Sequence, residues 1–316
     1  MSMNRLQLIK EVREVLSKAG FYLSKREYQD TMPFDIIARK DDRLFVISIS
    51  VNADSSRMRE TEQLKILNDA LDAFPLFISW IGGQRKLKQG VVYSRKGIPL
   101  MSPETFKDMI LEGVPPYVFS APGGLYVKMD SNLLKKARKE KKIPLSRLAD
   151  IAGVSRKSIQ KYEKGMGADL EVALKLQEFL SEDLILPINP FEREDYEKEY
   201  EISLDHYSGV ERVIFESLLS IGYSIVPTCE CPFEAITEDE EKVFLSGIGA
   251  KEDGRLKKKA KIVSNLSDVT EKDPVIFIQH KTSQMNIEGI PLIQKDELSK
   301  IEDKGEVSEL LAERKG

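Results

Sequence analysis

Little in this chain is suited to covalent or metal chemistry. Its 316 residues include two cysteines, two histidines and one tryptophan. Cys229 and Cys231 stand one residue apart, which disfavours a disulfide between them and suits a reducing compartment. A Cys-x-Cys pair can hold a metal, but a closed site normally takes four ligands, and His206 and His280 are distant in sequence. The pair therefore reads as two small residues in or beside a strand. Long hydrophobic runs are also missing. No apolar stretch approaches the roughly 20 residues needed to span a bilayer, and charges interrupt the opening MSMNRLQLIKEV, which argues against a signal peptide. The expectation is a cytoplasmic protein without membrane contact. There is no Gly-rich phosphate loop, Ser–His–Asp set or histidine cluster, so neither an enzyme nor a cofactor is expected.

A large excess of one charge is absent too. The net charge is −4, which by itself argues against wholesale coating of nucleic acid. Its distribution is more informative. From Val127 to Gly165 there are 12 Lys and Arg against 4 Asp and Glu, leaving 36 basic and 48 acidic residues elsewhere. One basic module sits inside an acidic protein, and that asymmetry points to an anionic partner.

Proline and glycine punctuation divides the chain. EGVPPYVFSAPGG (112–124) and LPINPFEREDYEKEYE (186–201) read as linkers. The division is an α/β domain over 1–114, a linker over 115–126, a helical domain over 127–185, an acidic linker over 186–206 and a second α/β domain over 207–316. In the first domain, Leu6, Ile9, Val12 and Leu16 form an apolar stripe on an opening helix. PFDIIARK and LFVISISV follow as β-rich runs. A helix around 61–73, the strand LFISW, and a helix capped by Ser102 with Pro103 at its first position complete the unit.

The last domain repeats this order. PFEAI (232–236) answers PFDII (33–37), KVFLSGI answers RLFVISI, VIFIQ answers LFISW, and GIPLIQKDEL (289–298) answers GIPLMSPETF (97–106). The fold class expected is α/β plus all-α, with two diverged copies of one α/β domain flanking a helical bundle.

The middle domain is dense in helix signals. Asp130 or Ser131 caps LLKKARKE, and SRLADIA ends at Gly153, the usual residue for a left-handed turn. Ser155 caps RKSIQKYEK, and Asp169 caps LEVALKLQEFL, with Leu170, Ala173, Leu174 and Leu180 on its apolar face. Only Gly153 and Val154 separate the two middle helices before the next cap, so they meet steeply, as in a helix-turn-helix. Ile159 and Tyr162 then face the core, while Arg156, Lys157, Gln160, Lys161 and Lys164 face outward. Such a helix fits a DNA major groove.

LSRLADIAGVSRKSIQKYEKG resembles the lambda-repressor/Cro-like (XRE-type) helix-turn-helix at Leu148, Ala149, Gly153, Val154, Ser155, Ile159, Tyr162, Glu163 and Gly165. The resemblance implies that Ser155 contacts phosphate, that Arg156, Lys157 and Lys161 face bases or backbone, and that Arg138 pairs with Glu163 structurally. Many members begin the first crossing helix with Ser or Thr and then a phosphate-gripping Gln. Pro144 and Leu145 stand there instead, so Lys142, Ser146 or Arg147 must substitute.

In the flanks, Asp35 and Glu234 each follow Pro-Phe and precede an apolar strand. This layout resembles the PD-(D/E)xK nuclease and resolvase-like fold, in which an Asp and a later Glu-x-Lys collect Mg²⁺ and activate water. Here the second strand offers Ser48 and Ser50, and its repeat offers glycines and Ser246, with Lys251 too far along. The chemistry is expected to be lost in both copies, leaving dimerisation, backbone contact or effector sensing. The whole layout resembles archaeal helix-turn-helix-type transcriptional regulators. That implies double-stranded DNA as partner. One such helix reads only a few base pairs, so a homodimer on a two-fold site is expected, with an unknown effector or transcription-machinery protein as a further candidate partner. The competing expectation is a structure-selective nuclease or repair factor targeted by the same motif.

Overall fold

The computed structural model describes residues 4–25, 32–55, 58–192, 207, 209–240 and 242–315. The first segment runs α1 (Arg5–Lys18), β1 (Tyr22–Leu23), β2 (Ile36–Lys40), β3 (Arg43–Asn52), α2 (Met58–Leu71), β4 (Phe74–Gly82), β5 (Arg85–Lys86), β6 (Val91–Arg95), β7 (Ile98–Met101) and α3 (Pro103–Leu111). Then come β8 (Val118–Ala121), β9 (Gly124–Met129), α4 (Ser131–Glu140), α5 (Leu145–Ala152), α6 (Arg156–Tyr162), β10 (Ala168–Asp169), α7 (Leu170–Leu180) and β11 (Ile185–Leu186). The last segment runs α8 (Gly209–Ile221), β12 (Ser224–Pro227), β13 (Ala235–Glu238), β14 (Val243–Gly249), α9 (Gly254–Thr270), β15 (Asp273–Ile278), β16 (Asn286–Ile287), β17 (Ile290–Gln294), α10 (Lys295–Leu298) and α11 (Lys304–Arg314). None of the described helices is long and apolar enough to cross a membrane.

The duplication is visible in strand order. β1-β2-β3-β4-β7-β6 is answered by β12-β13-β14-β15-β17-β16. The registers correspond as well: Ile36 pairs with Ile47 and Ala235 with Ser246, while Leu100 pairs with Phe77 and Leu292 with Ile276, both in parallel. The shared GIPL stretches thus occupy one place in the two copies.

Local chemistry explains the helix ends. Asn4 and Gln7 form a reciprocal capping box on α1, and Ser102 accepts from Thr105 N–H at the start of α3, ahead of Pro103. Both devices satisfy backbone donors that have no partner in the first turn. The buried stripe of α1 is Leu8, Ile9, Val12 and Leu16, whereas Leu6 is exposed. At about 100° per residue, Leu6 lies well away from the side that Val12 buries.

The chain packs as two compact units built from separate stretches. One comprises residues 1–19, 49–55 and 76–194; the other comprises 20–48, 56–75 and 195–316. In the second unit, part of the first α/β segment packs against its repeat. Lys25 N–H donates to Asn265 Oδ1 at 2.6 Å, Arg39 Nε donates to the Val269 carbonyl at 2.9 Å, and Arg39 pairs with Glu271 at 2.7 Å. The two copies therefore meet within one chain at these residues.

In the first unit, the helical module is joined to a sheet. Residues 115–126, read from their prolines and glycines as a linker, instead carry β8 and the start of β9. β8 pairs in parallel with β6 (Val118 with Val91), and β9 pairs with β8, β10 and β11. Pro122 and Gly123 form the hairpin turn between β8 and β9, which is their usual office. The acidic linker over 186–206 lies mostly outside the described residues. α7 buries Ala173, Leu176 and Leu180, while Leu174 is exposed. The buried residues follow an i, i+3, i+7 spacing, so Leu174 falls off the stripe.

Candidate nucleic-acid interface

α5 and α6 are held at their turn by backbone geometry. Gly153 adopts φ +69°, ψ 32°, the left-handed region open to glycine. Val154 N–H then returns to the Ala149 carbonyl at 2.9 Å. Ser155 Oγ accepts from Ser158 N–H at 3.1 Å and lies 3.0 Å from Ser158 Oγ, so this exposed hydroxyl caps α6. Ile159 and Tyr162 are buried with Leu134, Leu148 and Ala149 in one apolar cluster. Burial also pushes the Tyr162 hydroxyl above its ordinary pKa.

The other side of α6 is open to solvent. Arg156, Lys157, Gln160, Lys161 and, just beyond its end, Lys164 are all exposed. So are Ser146 and Arg147 on α5 and Lys142 in the preceding turn. Among the described residues, none of these cations has an acidic partner. Lys141 differs: its ammonium donates to the Leu180 carbonyl and lies 3.8 Å from Glu182. Adjacent lysines thus have opposite assignments, one tied to the module and one free.

α6 spans seven residues, roughly 10 Å at 1.5 Å per residue. One side of it is exposed and basic, and the other is buried in the module. The start of α5 adds a second feature. Its N-cap, Pro144, makes no side-chain hydrogen bond to the first turn. The free N–H groups of an uncapped helix start favour an anion, and Lys142, Ser146 and Arg147 flank this one.

Arg138 on α4 and Glu163 at the end of α6 form the module's internal brace. Arg138 Nε donates to Oε1 at 2.5 Å and Nη2 to Oε2 at 3.1 Å, with Nη1 3.3 Å from the Ile143 carbonyl. Both side chains are largely buried. The hydrogen bonds to Glu163 raise the Arg138 pKa, burial opposing them. The guanidinium is therefore committed to the protein and is unavailable to a phosphate.

The two α/β copies place acidic residues at matching points. Asp35 N–H bonds the Ile47 carbonyl at 2.8 Å, and Glu234 N–H bonds that of Ser246 at 2.9 Å. This register makes Ser48 and Ser50 equivalent to Gly247 and Gly249. In the first copy, the Ser48 hydroxyl donates to Glu60 of α2. In the second, Lys259 of α9 bonds Glu234 and, at 2.7 Å, the Ile248 carbonyl, while Ile248 N–H donates to Glu234 Oε2 at 2.6 Å. A Cβ on Gly249 would lie 2.6 Å from Leu256 Cδ1, and one on Gly247 2.9 Å from Ile276 Cδ1. A side chain at either position would have to push these side-chain ends aside, and neither glycine supplies a metal-binding carboxylate.

Sequence reasoning missed Glu60 and Lys259. Lys259 is hidden in GRLKKKAK, where a basic run resembles a solvated face. The signal is its place beside the buried stripe Leu256, Ala260 and Val263. Burial pushes the Glu234 carboxyl above the ordinary range, with Lys259 pulling it back. Cys229 and Cys231 remain free thiols, and Cys229 N–H donates to Gln63 Oε1 at 2.7 Å. No group of three or more His, Cys, Asp or Glu is arranged to hold a metal among the described residues. His206 lies outside them.

Two family models match parts of the chain. A PD-(D/E)XK superfamily domain model matches residues 5–116, and a helix-turn-helix model matches 134–185. A protein of Natronomonas pharaonis bearing the name "Putative HTH-type transcriptional regulatory protein" is 34% identical over 318 residues, covering 99% of each chain. A protein of that description from Methanosarcina acetivorans is 33% identical over 324 residues, covering 99% of this chain and 98% of its own. One from Archaeoglobus fulgidus is 34% identical over 311 residues, covering 97% of both.

Proposed function

The chain belongs to the helix-turn-helix-type transcriptional regulatory proteins of archaea, and on that premise we propose that it binds a specific duplex-DNA sequence by laying α6 in the major groove. The observation carrying this reading is the two-sidedness of α6. Ile159 and Tyr162 anchor it in the core, while Arg156, Lys157, Gln160, Lys161 and Lys164 are exposed and meet no acidic partner among the described residues. Arg and Gln can bond base edges with two donors or with a donor and an acceptor, whereas lysines act chiefly on phosphates.

Lys142, Ser146, Arg147 and the uncapped start of α5 hold the adjoining backbone, taking the place of the absent Gln anchor. Ser155 keeps its cap and can still offer a proton to phosphate. One helix of seven residues reads only a few base pairs, so two copies of the chain act together on a two-fold site. The α/β copies act as structural and sensing domains rather than as a nuclease. Support for this comes from the hydroxyls of Ser48 and Ser50, where the metal chemistry would need a carboxylate and a lysine, and from the Lys259–Glu234 pair in the repeat.

A second reading, metal-dependent cleavage, draws on Asp35 and Glu60 around Ser48. Both are tested together by selecting bound sequences from a randomised duplex pool in Mg²⁺, with an Arg156→Ala/Lys157→Ala variant alongside. Regulation predicts one enriched motif, lost in the variant, and uncut DNA. Cutting that Asp35→Ala abolishes supports the nuclease reading instead. Binding without enrichment leaves only phosphate attraction.

A further inference from the structure

A cavity of about 270 Å³ opens between α1, β4 and α3, lined by Val12, Val15, Trp80, Phe106 and Leu111. Three carboxylates, Glu11, Glu14 and Glu104, share this lining with Lys18 and Lys107. Lys107 lies 3.7 Å from Glu112, Lys18 ends α1, where a positive charge offsets the helix dipole, and Glu14 pairs with Lys10 at 3.8 Å, which leaves Glu104 as the carboxylate that matters here.

One edge of the site already holds an ammonium. Lys86 Nζ lies 3.8 Å from the centre of the Trp80 ring and donates to Glu104 Oε1 at 2.8 Å. Glu104 Oε2 is buried and makes no hydrogen bond of its own, while the Ser102 hydroxyl and the Glu104 backbone N–H lie close to the same carboxyl. A buried carboxylate oxygen without a donor is costly, and an aromatic face attracts cations. The Lys86 side chain is half exposed, so it can be displaced from this position.

We propose that this cavity binds a small organic ammonium: its apolar body lies against Trp80 and Phe106, and its charged nitrogen donates to Glu104. The site is in the same compact unit as the helix-turn-helix module, which suits an effector. The binding itself does not depend on what that module does.

Trp80 is the only tryptophan in the chain, so its fluorescence reports on the cavity alone. The intact protein is titrated with phenethylammonium, with 3-phenylpropionate as the oppositely charged probe. A saturable change with the amine and none with the carboxylate is expected. Glu104→Gln, which removes the charge, should weaken amine binding by about tenfold. Lys86→Ala, which removes the competing ammonium, should tighten it severalfold; because that change alters the Trp80 surroundings, its affinity is also read by calorimetry. The opposite directions separate this site from general loss of fold, and Lys86→Ala decides the matter if Glu104→Gln does not fold. No response to the amine, an equal response to 3-phenylpropionate, or an unchanged affinity in Lys86→Ala overturns the proposal.

Discussion

Arg138 and Glu163, 25 residues apart in sequence, meet through two side-chain hydrogen bonds of 2.5 and 3.1 Å in the largely buried side of the helical module. The pair ties α4 to the end of α6, whose free side carries Arg156, Lys157 and Lys161. The cation that braces the module is therefore distinct from those on its exposed side.

Removing Glu163 should reveal the brace. Glu163→Ala leaves a largely buried guanidinium without its carboxylate and is expected to cost about 2–3 kcal/mol. The measurement is the urea midpoint of the intact chain, by a probe that follows the helical module. Arg138→Ala/Glu163→Ala should lose less than the sum of the single changes, because the second change removes a charge already stranded. Additive losses would mean that the pair is not coupled.

On the side proposed to meet DNA, positioning and reading should separate. Arg147→Ala should weaken binding about equally on all sequences and lower the salt slope by roughly 1. Gln160→Ala, a neutral change, should leave the salt slope alone and relax preference at one base pair. Binding isotherms at several salt concentrations, on the selected site and on point-changed sites, distinguish the two. A sequence-specific loss in Arg147→Ala would assign it to a base.

Gly153 tests the turn. A Cβ there meets nothing within 4 Å, yet φ is +69°. Gly153→Ala is therefore expected to cost about 1 kcal/mol through backbone strain alone. Gly153→Asn should recover part of that, since asparagine tolerates the left-handed region better. Thermal unfolding of both variants would show the order, and equal stability of all three would show that the turn relaxes without cost.

Lys259 governs a pH effect in the second α/β copy. Burial raises the folded Glu234 pKa above its ordinary value, so the folded state holds that proton more tightly than the unfolded one. Such a group stabilises fully below the unfolded pKa, and the stabilisation is lost as pH rises through the folded pKa. Lys259→Met removes the charge that pulls the pKa down, so the folded value moves further up. The variant should lose more stability than the parent between pH 5 and pH 8, read from urea unfolding at each pH. A parallel pH dependence in the two proteins would exclude this coupling.

Much of the fold was legible in sequence because it rests on local chemistry. Ser102-Pro103 begins α3, Gly153 breaks the chain between α5 and α6, and Ser155 starts the exposed helix; each acts through its own backbone or a neighbour three residues away. The repeat was also legible, since PFDII and PFEAI or the two GIPL stretches keep register through composition alone. VFSA and LYVKM were harder. Prolines and glycines around them resemble a linker, and the strand state of VFSA depends on pairing with Val91 and Val92, far back in the chain.

The sequence by itself determined most of what the helices bury (Leu6 and Leu174 excepted), where the middle helices start and stop, and that one basic module stands in an acidic chain. Those follow from periodicity, capping and charge, all short-range properties. Tertiary structure alone decided that Lys259 meets Glu234, that Glu60 meets Ser48, and that Lys141 turns inward while Lys142 stays free. It also decided that Glu104 Oε2 is left without a donor beside Trp80. Each of these depends on a partner from another element or on burial by distant residues. Electrostatic energy is set by such neighbours and by the water they exclude, and neither is encoded in the spacing of charges along the chain.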